Sequence, residues 1–116
     1  MNKNLQNLLR LDGLVLTRKG LELTGSQLSA GALDDLNREI DKLRRRLPAE
    51  VISQYDRLTQ KYSDPLAALT GDVCQGCQQR VSRRRALIAS HTHRLFQCDH
   101  CERFIFAASH APDYVR

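Results

Sequence analysis

The chain contains four cysteines, arranged as two C-x-x-C pairs, Cys74-Gln75-Gly76-Cys77 and Cys98-Asp99-His100-Cys101, with 20 residues between the pairs. Thiolates are soft anionic ligands, and a two-residue spacer lets both sulfurs of a pair turn onto one ion at about 2.3 Å. The distance between the pairs is in the range of zinc ribbons and fingers. The pattern predicts one structural Zn2+ per chain held by Cys74, Cys77, Cys98 and Cys101. Three other chemistries fit less well. Disulfides need export, but the leucine-rich stretch after Met1 is interrupted by Arg10 and Asp12, unlike the apolar run of a secretory signal. A cytoplasmic protein with reduced thiols is therefore expected. A dithiol redox centre would need one low-pKa pair at a helix start, not two equivalent pairs in short loops. Catalytic zinc keeps an open coordination position, which four thiolates close. With the shell full, His100 reads as an exposed loop residue.

The second chemical signal is basic. The formal charge is +5. Four thiolates and one zinc ion together contribute −2, leaving the loaded chain at about +3. Distribution matters more than the sum: residues 71–116 carry seven arginines and no lysine against four acids. Arginine is the residue suited to bidentate contacts with phosphate or carboxylate. Arg44-Arg45-Arg46 ends a helical pattern, where cations complement the dipole, so a solvated face accounts for it. Arg83, Arg84 and Arg85 instead follow Ser82, a good N-cap, which puts three cations in a first helical turn. There the dipole opposes them at about 0.3 to 1 kcal/mol each, an arrangement that makes sense if an anion binds. Arg80, Arg94 and Arg103 extend this candidate face for nucleic acid or for a nucleic-acid-associated protein. Phe96, Phe104 and Phe106 could stack on bases, but little else is there to fill the core of the cysteine region.

The elements that must position these groups are read from periodicity. With 116 residues, three phenylalanines, three tyrosines and no tryptophan, the chain makes one ordinary domain or two very small ones, and its cysteine half depends on metal. The expected fold class is α+β, a short antiparallel helical hairpin over residues 1–65, a small C4 ribbon over 66–108 and a flexible tail over 109–116. A first helix is expected over 3–19, then a turn-rich connection through Gly20, Gly25, Ser26, Ser29 and Gly31. A second helix over 32–47 carries Leu33, Leu36, Ile40, Leu43 and Leu47 at heptad-like spacing. Pro48 restarts the helix at its first position, and Val51, Tyr55, Leu58 and Tyr62 form a fresh stripe to residue 62, before Asp64-Pro65 stops it. Residues 66–73 read as extended, 82–89 as a short helix, and 95–97 and 103–106 as strands. No 18-residue apolar run is present, so no membrane span is expected.

A first helix of about 17 residues covers only half of the stripe from Leu33 to Tyr62. Val51, Tyr55 and Leu58 must then pack on the ribbon or on a second copy, a possible homodimer through the helices. Nothing but the metal is expected to hold residues 71–108 together, so any Cys→Ser change should unfold the ribbon and leave the helices largely intact.

The segments Leu47-Pro48-Ala49-Glu50-Val51-Ile52-Ser53-Gln54-Tyr55-Asp56-Arg57-Leu58, Gly71-Asp72-Val73-Cys74-Gln75-Gly76-Cys77 and Cys98-Asp99-His100-Cys101-Glu102-Arg103-Phe104-Ile105-Phe106 together resemble bacterial helical-hairpin proteins that end in a C4-type zinc ribbon. The resemblance covers the last 60 to 70 residues or so. It implies a coiled-coil hairpin carrying a zinc ribbon at its base, ligands at the four cysteines, and an adaptor or nucleic-acid-binding role without enzymatic activity. The hairpin here is far shorter than the family's. The residue after the last cysteine is Glu102 where the family commonly has glycine, a substitution costing about 1 kcal/mol if that position is left-handed. The arrangement also resembles the DksA/TraR group of RNA polymerase regulators, with Asp34 and Asp35 as a parallel to their acidic tip, but the cysteine spacing fits the first family better. A protein-only coiled-coil scaffold, with the ribbon as a folding staple, is the remaining alternative. No Ser-His-Asp set or Gly-rich phosphate loop is present, and His91, His93 and His110 read as surface residues, so neither an enzyme nor a small-molecule substrate is expected.

Overall fold

The computed structural model describes residues 3–24, 30–91 and 95–107. Helix α1 spans Asn4–Thr24, α2 spans Ala30–Arg46 and α3 spans Ala49–Lys61. The first helix runs beyond its expected end because Gly20 does not stop it. Gly13 and Gly20 are both exposed within it and cost only about 1 kcal/mol each, which the packing of α1 on α2, reaching as far as Arg18 against Asn37, offsets. The connector residues Gly25, Ser26 and Ser29 lie outside the described residues. Helices α1 and α2 are antiparallel neighbours: Arg18 late in α1 donates to Asn37 at 3.0 Å, and Arg10 earlier in α1 approaches Glu39 further along α2 at 3.9 Å.

Pro48 breaks the long helical stripe. Its ψ of 145° is extended, so it precedes α3 instead of starting it. The corner is clamped by Arg44, whose guanidinium makes two parallel 2.8 Å bonds to the Asp56 carboxylate. One member of the arginine triplet thus braces the α2–α3 bend, while Arg45 and Arg46 remain exposed. At the centre of the three helices Tyr55 donates its hydroxyl to Asp12 Oδ1 at 2.9 Å, with both residues buried. Tyr55→Phe leaves Asp12 one donor short, so a loss of about 1 to 3 kcal/mol is expected in chemical denaturation.

Strand β1 spans Leu66–Thr70, β2 Val73–Cys74, β3 Phe96–Gln97 and β4 Phe104–Ala107, with helix α4 at Arg83–His91 between β2 and β3. The sheet order is β2-β1-β4-β3, with β1 antiparallel to β2 but parallel to β4. The extended stretch expected over 66–73 is in fact a hairpin that turns at Gly71, whose φ of 63° suits glycine.

Side chains alternate across this sheet with the period of two expected of strands. Leu66, Phe104 and Phe106 face one way and join Leu5, Leu8, Leu11, Ile40, Leu43, Leu47, Tyr55 and Leu58 in one buried cluster. Ala67, Leu69 and Ile105 face the other way, onto Cys74, Cys98, Cys101, Val81 and Ala89. The helical region and the cysteine region therefore share the sheet as a common wall. Val51, Tyr55 and Leu58, the positions that raised the question of a second copy, pack in this cluster within the chain. Phe104 and Phe106 are core residues, not stacking surfaces. No helix among the described residues is long and apolar enough to cross a membrane. The tail over 109–116 lies outside the described residues.

Candidate metal centre

Each cysteine pair ends a strand and closes on itself through the backbone. In the first, Gln78 N–H donates to Cys74 O at 2.8 Å and Cys74 N–H to Gln79 O at 2.9 Å. In the second, Glu102 N–H donates to Cys98 O at 3.0 Å and Cys98 N–H to Arg103 O at 2.8 Å. The same two bonds at the same spacing make the knuckles equivalent. Both need a left-handed residue after the second cysteine, and both take it from a non-glycine: Gln78 has φ 62° and Glu102 φ 67°. Gln78→Gly is expected to stabilise the protein by about 1 kcal/mol. Each change also removes one exposed side-chain contact, Gln78 Nε2–H to Gln75 O at 3.0 Å or the 3.1 Å pair of Glu102 with Arg57, so Glu102→Gly should gain a similar amount. Thermal denaturation of the two variants against the parent checks both gains.

The knuckles bring four sulfurs together, all within 4.8 Å of one another. Cys74 and Cys101 Sγ are 3.9 Å apart, and Cys77 and Cys98 Sγ 3.7 Å. A tetrahedron with ligands about 2.3 Å from its centre has edges of about 3.8 Å, so the donors match the geometry of a four-thiolate site. The four cysteines expected as ligands are thus the four the fold assembles, close enough to hold one metal ion. Cys74, Cys98 and Cys101 are buried and Cys77 half-buried.

Burial sets the direction of the shift for Cys74 and Cys77. It pushes Cys74 up to about 12, with the neighbouring Cys101 and Cys98 adding to the rise, and it also raises Cys77. Cys101 goes the other way: burial would raise it, but hydrogen bonds from the backbone and guanidinium of Arg103, followed by the other thiols, bring it below its usual value. Cys74 therefore keeps its proton at neutral pH in the metal-free protein, and a metal must displace it. Apparent metal affinity is expected to fall by at least about tenfold per pH unit as pH drops from 8 to 6, a slope that chelator competition measures. Stability of the metal-free chain has its own sign. A raised thiol pKa favours the folded state fully below the ordinary value of 9.0, and that contribution is lost as pH rises towards 12.

The arginines sort into two groups. Ser82 caps α4 as expected, its Oγ accepting from Arg85 N–H at 3.2 Å. Arg85 then turns to the second knuckle, meeting Asp99 Oδ1 at 2.7 Å and donating to Gln97 O at 2.9 Å. Arg103 departs furthest from expectation. It is buried, bonded to Asp64, and unavailable to a partner. Arg80, Arg83 and Arg84 are exposed, and none makes an ion pair among the described residues. Arg80 gives only its carbonyl, which accepts from His100 Nε2–H at 3.1 Å. Arg94, His93 and His110 lie outside the described residues. Gly76 went unnoticed in the sequence. A Cβ there would sit 2.6 Å from Arg103 Cδ, so the C-x-G-C spelling of the first knuckle reflects an arginine crossing it.

No protein-family model matches the sequence, and no curated protein matches it. Two solved structures are similar. One is CT398 from Chlamydia trachomatis, at TM-score 0.53 and 23% identity over 64% of this chain and 32% of that one. The other is the HP0958 protein from Helicobacter pylori CCUG 17874, at TM-score 0.51 and 16% identity over 79% of this chain and 42% of that one. At these identities the likeness is one of fold. The chain spans less than half the length of either.

Proposed function

We propose that this protein is a non-catalytic zinc-ribbon adaptor that binds nucleic acid, or a protein carried on nucleic acid, through Arg80, Arg83 and Arg84. Zinc is the metal that suits four thiolates at tetrahedral spacing, and a closed shell of this kind supports the fold instead of activating a substrate. The single observation that carries the binding reading is the sorting of the arginines. Arg44, Arg57, Arg85 and Arg103 each have a carboxylate within 3.1 Å. Arg83 and Arg84 stand in a first helical turn that holds no acid, where the helix dipole opposes them. Phosphate relieves that opposition and takes bidentate contacts from guanidinium. A regulatory role in the bacterial cytoplasm is consistent with a small adaptor of this design.

Affinity capture from a lysate with and without nuclease tests the reading. Partners that disappear on nuclease treatment are expected. Partners that persist unchanged would put the protein-only scaffold in its place.

A further inference from the structure

The five exposed residues of α4 are Arg83, Arg84, Leu87, Ser90 and His91. At about 100° per residue they fall within one arc of about 120°, with Leu87 near its middle. The opposite side holds Ala89, buried with Ile105 in the cysteine-side cluster, so the arc is turned away from the fold. No acid occurs anywhere in the helix. Leu87 is 50% exposed, and the only other large hydrophobic so exposed among the described residues is Leu33 on α2. The outermost line of a cationic helix is thus given to an apolar side chain.

The forms of nucleic acid place different demands on such a face. Single strands are held by aromatic rings on which bases stack. No aromatic side chain among the described residues is exposed: Tyr55, Phe104 and Phe106 are buried, Phe96 packs on the cysteine-side cluster, and the Arg103 guanidinium stacks on the Tyr62 ring at 3.7 Å. Duplex RNA closes its deep major groove to side chains and is gripped through sugar hydroxyls and phosphates, for which a central leucine has no use. B-form DNA has a major groove about 12 Å wide, the diameter of a helix with its side chains. There the cations at one end of α4 meet phosphate, an apolar side chain in the middle meets the thymine methyl group, and hydroxyl and imidazole groups reach the donors and acceptors of the base edges. A protein partner would ask for several apolar side chains at the centre of the patch, and this face offers one. We infer that α4 is a groove-reading helix for duplex DNA, with Arg80, Arg83 and Arg84 on the phosphates and Leu87, flanked by Ser90 and His91, on the base edges. This rests on the nucleic-acid reading above and deepens it, naming the substrate class and adding Leu87 as a residue that contacts bases.

The zinc-loaded full chain is titrated by fluorescence anisotropy against a short duplex DNA, one of its single strands and an RNA duplex of the same sequence, at low and at physiological salt. Duplex DNA is expected to bind at least about tenfold more tightly than the other two. Leu87→Ala should lose about 5- to 20-fold on duplex DNA while its salt slope stays that of the parent, because the change removes an apolar contact and no phosphate contact. Its melting temperature should equal or exceed the parent's, since the leucine is exposed and alanine is the better helix former. Equal affinity for the single strand or the RNA duplex, or a Leu87→Ala variant that binds duplex DNA as tightly as the parent, would overturn the inference and leave the nucleic-acid reading in place. A parent protein that binds none of the three at low salt would overturn both.

Discussion

Cys74→Ser is expected to abolish metal uptake and to unfold the helices together with the ribbon in one transition. The change in volume is small, so no cavity effect is involved; what is lost is a ligand. Structural zinc sites of four thiolates contribute about 10 to 16 kcal/mol of apparent binding energy at neutral pH, as large as the whole stability of an ordinary domain, about 5 to 15 kcal/mol. Without the ion, the apolar cluster beside the knuckles is small, built on Ala67, Leu69, Val81, Ala89 and Ile105. The sequence alone suggested that the helices would survive, because the cysteine region looked like a separate unit. Leu66, Phe104 and Phe106 argue otherwise. They are the reverse side of the same sheet and fill the cluster under Tyr55 and Leu58. Removing the sheet takes a wall out of the helical core, and large apolar side chains withdrawn from a core cost several kcal/mol each. Metal analysis combined with circular dichroism checks this. A variant without zinc that keeps the parental helical signal and melting temperature would contradict it.

A triple change of Arg80, Arg83 and Arg84 to Gln is expected to leave stability unchanged or slightly raised, because none of the three has an ion-pair partner among the described residues and two oppose a helix dipole. Binding to nucleic acid should nonetheless weaken strongly, with the salt slope flattened by up to about three units. Arg85 must be kept out of the variant. Its contacts with Asp99 and Gln97 hold the second knuckle, and an Arg85→Gln change would confuse folding with binding. Arg103 is excluded for the same reason. Competition titrations on single-stranded RNA and duplex DNA at two salt concentrations read the effect. Equal binding by parent and variant would reduce the face to a solvated surface.

What could be read from the sequence follows the range of the interactions involved. The clustering of the four cysteines was legible because two-residue knuckles are local and the spacing between pairs leaves little choice. The N-cap at Ser82, the break at Pro48 and the stripe through Val51, Tyr55 and Leu58 were legible for the same reason. The end of α1 was misplaced because Gly20 marks a weak local preference that packing against α2, nineteen residues on from Arg18 at Asn37, overrides. The parallel pairing of Leu66–Leu69 with Phe104–Ala107 could not be foreseen, since it joins residues nearly forty apart with no turn to announce it. The division of labour among the arginines was invisible too. Arg83, Arg84 and Arg85 are consecutive, yet only the third points back to Asp99. Arg103 sits beside the last knuckle like a surface residue, and its burial depends on Asp64, Tyr62 and Gly76 arriving from elsewhere in the chain.

A metal-held ribbon that presents Arg80, Arg83 and Arg84 to phosphate should bind nucleic acid in a salt-dependent way. The measurement that addresses it most directly is the affinity of the zinc-loaded protein for a short duplex DNA and a single-stranded RNA, followed as a function of salt. Three phosphate contacts predict that log K falls linearly with log salt at a slope of about −2 to −3 on whichever of the two is bound. Affinity that is absent for both nucleic acids at low salt, or that does not change with salt, would contradict the account.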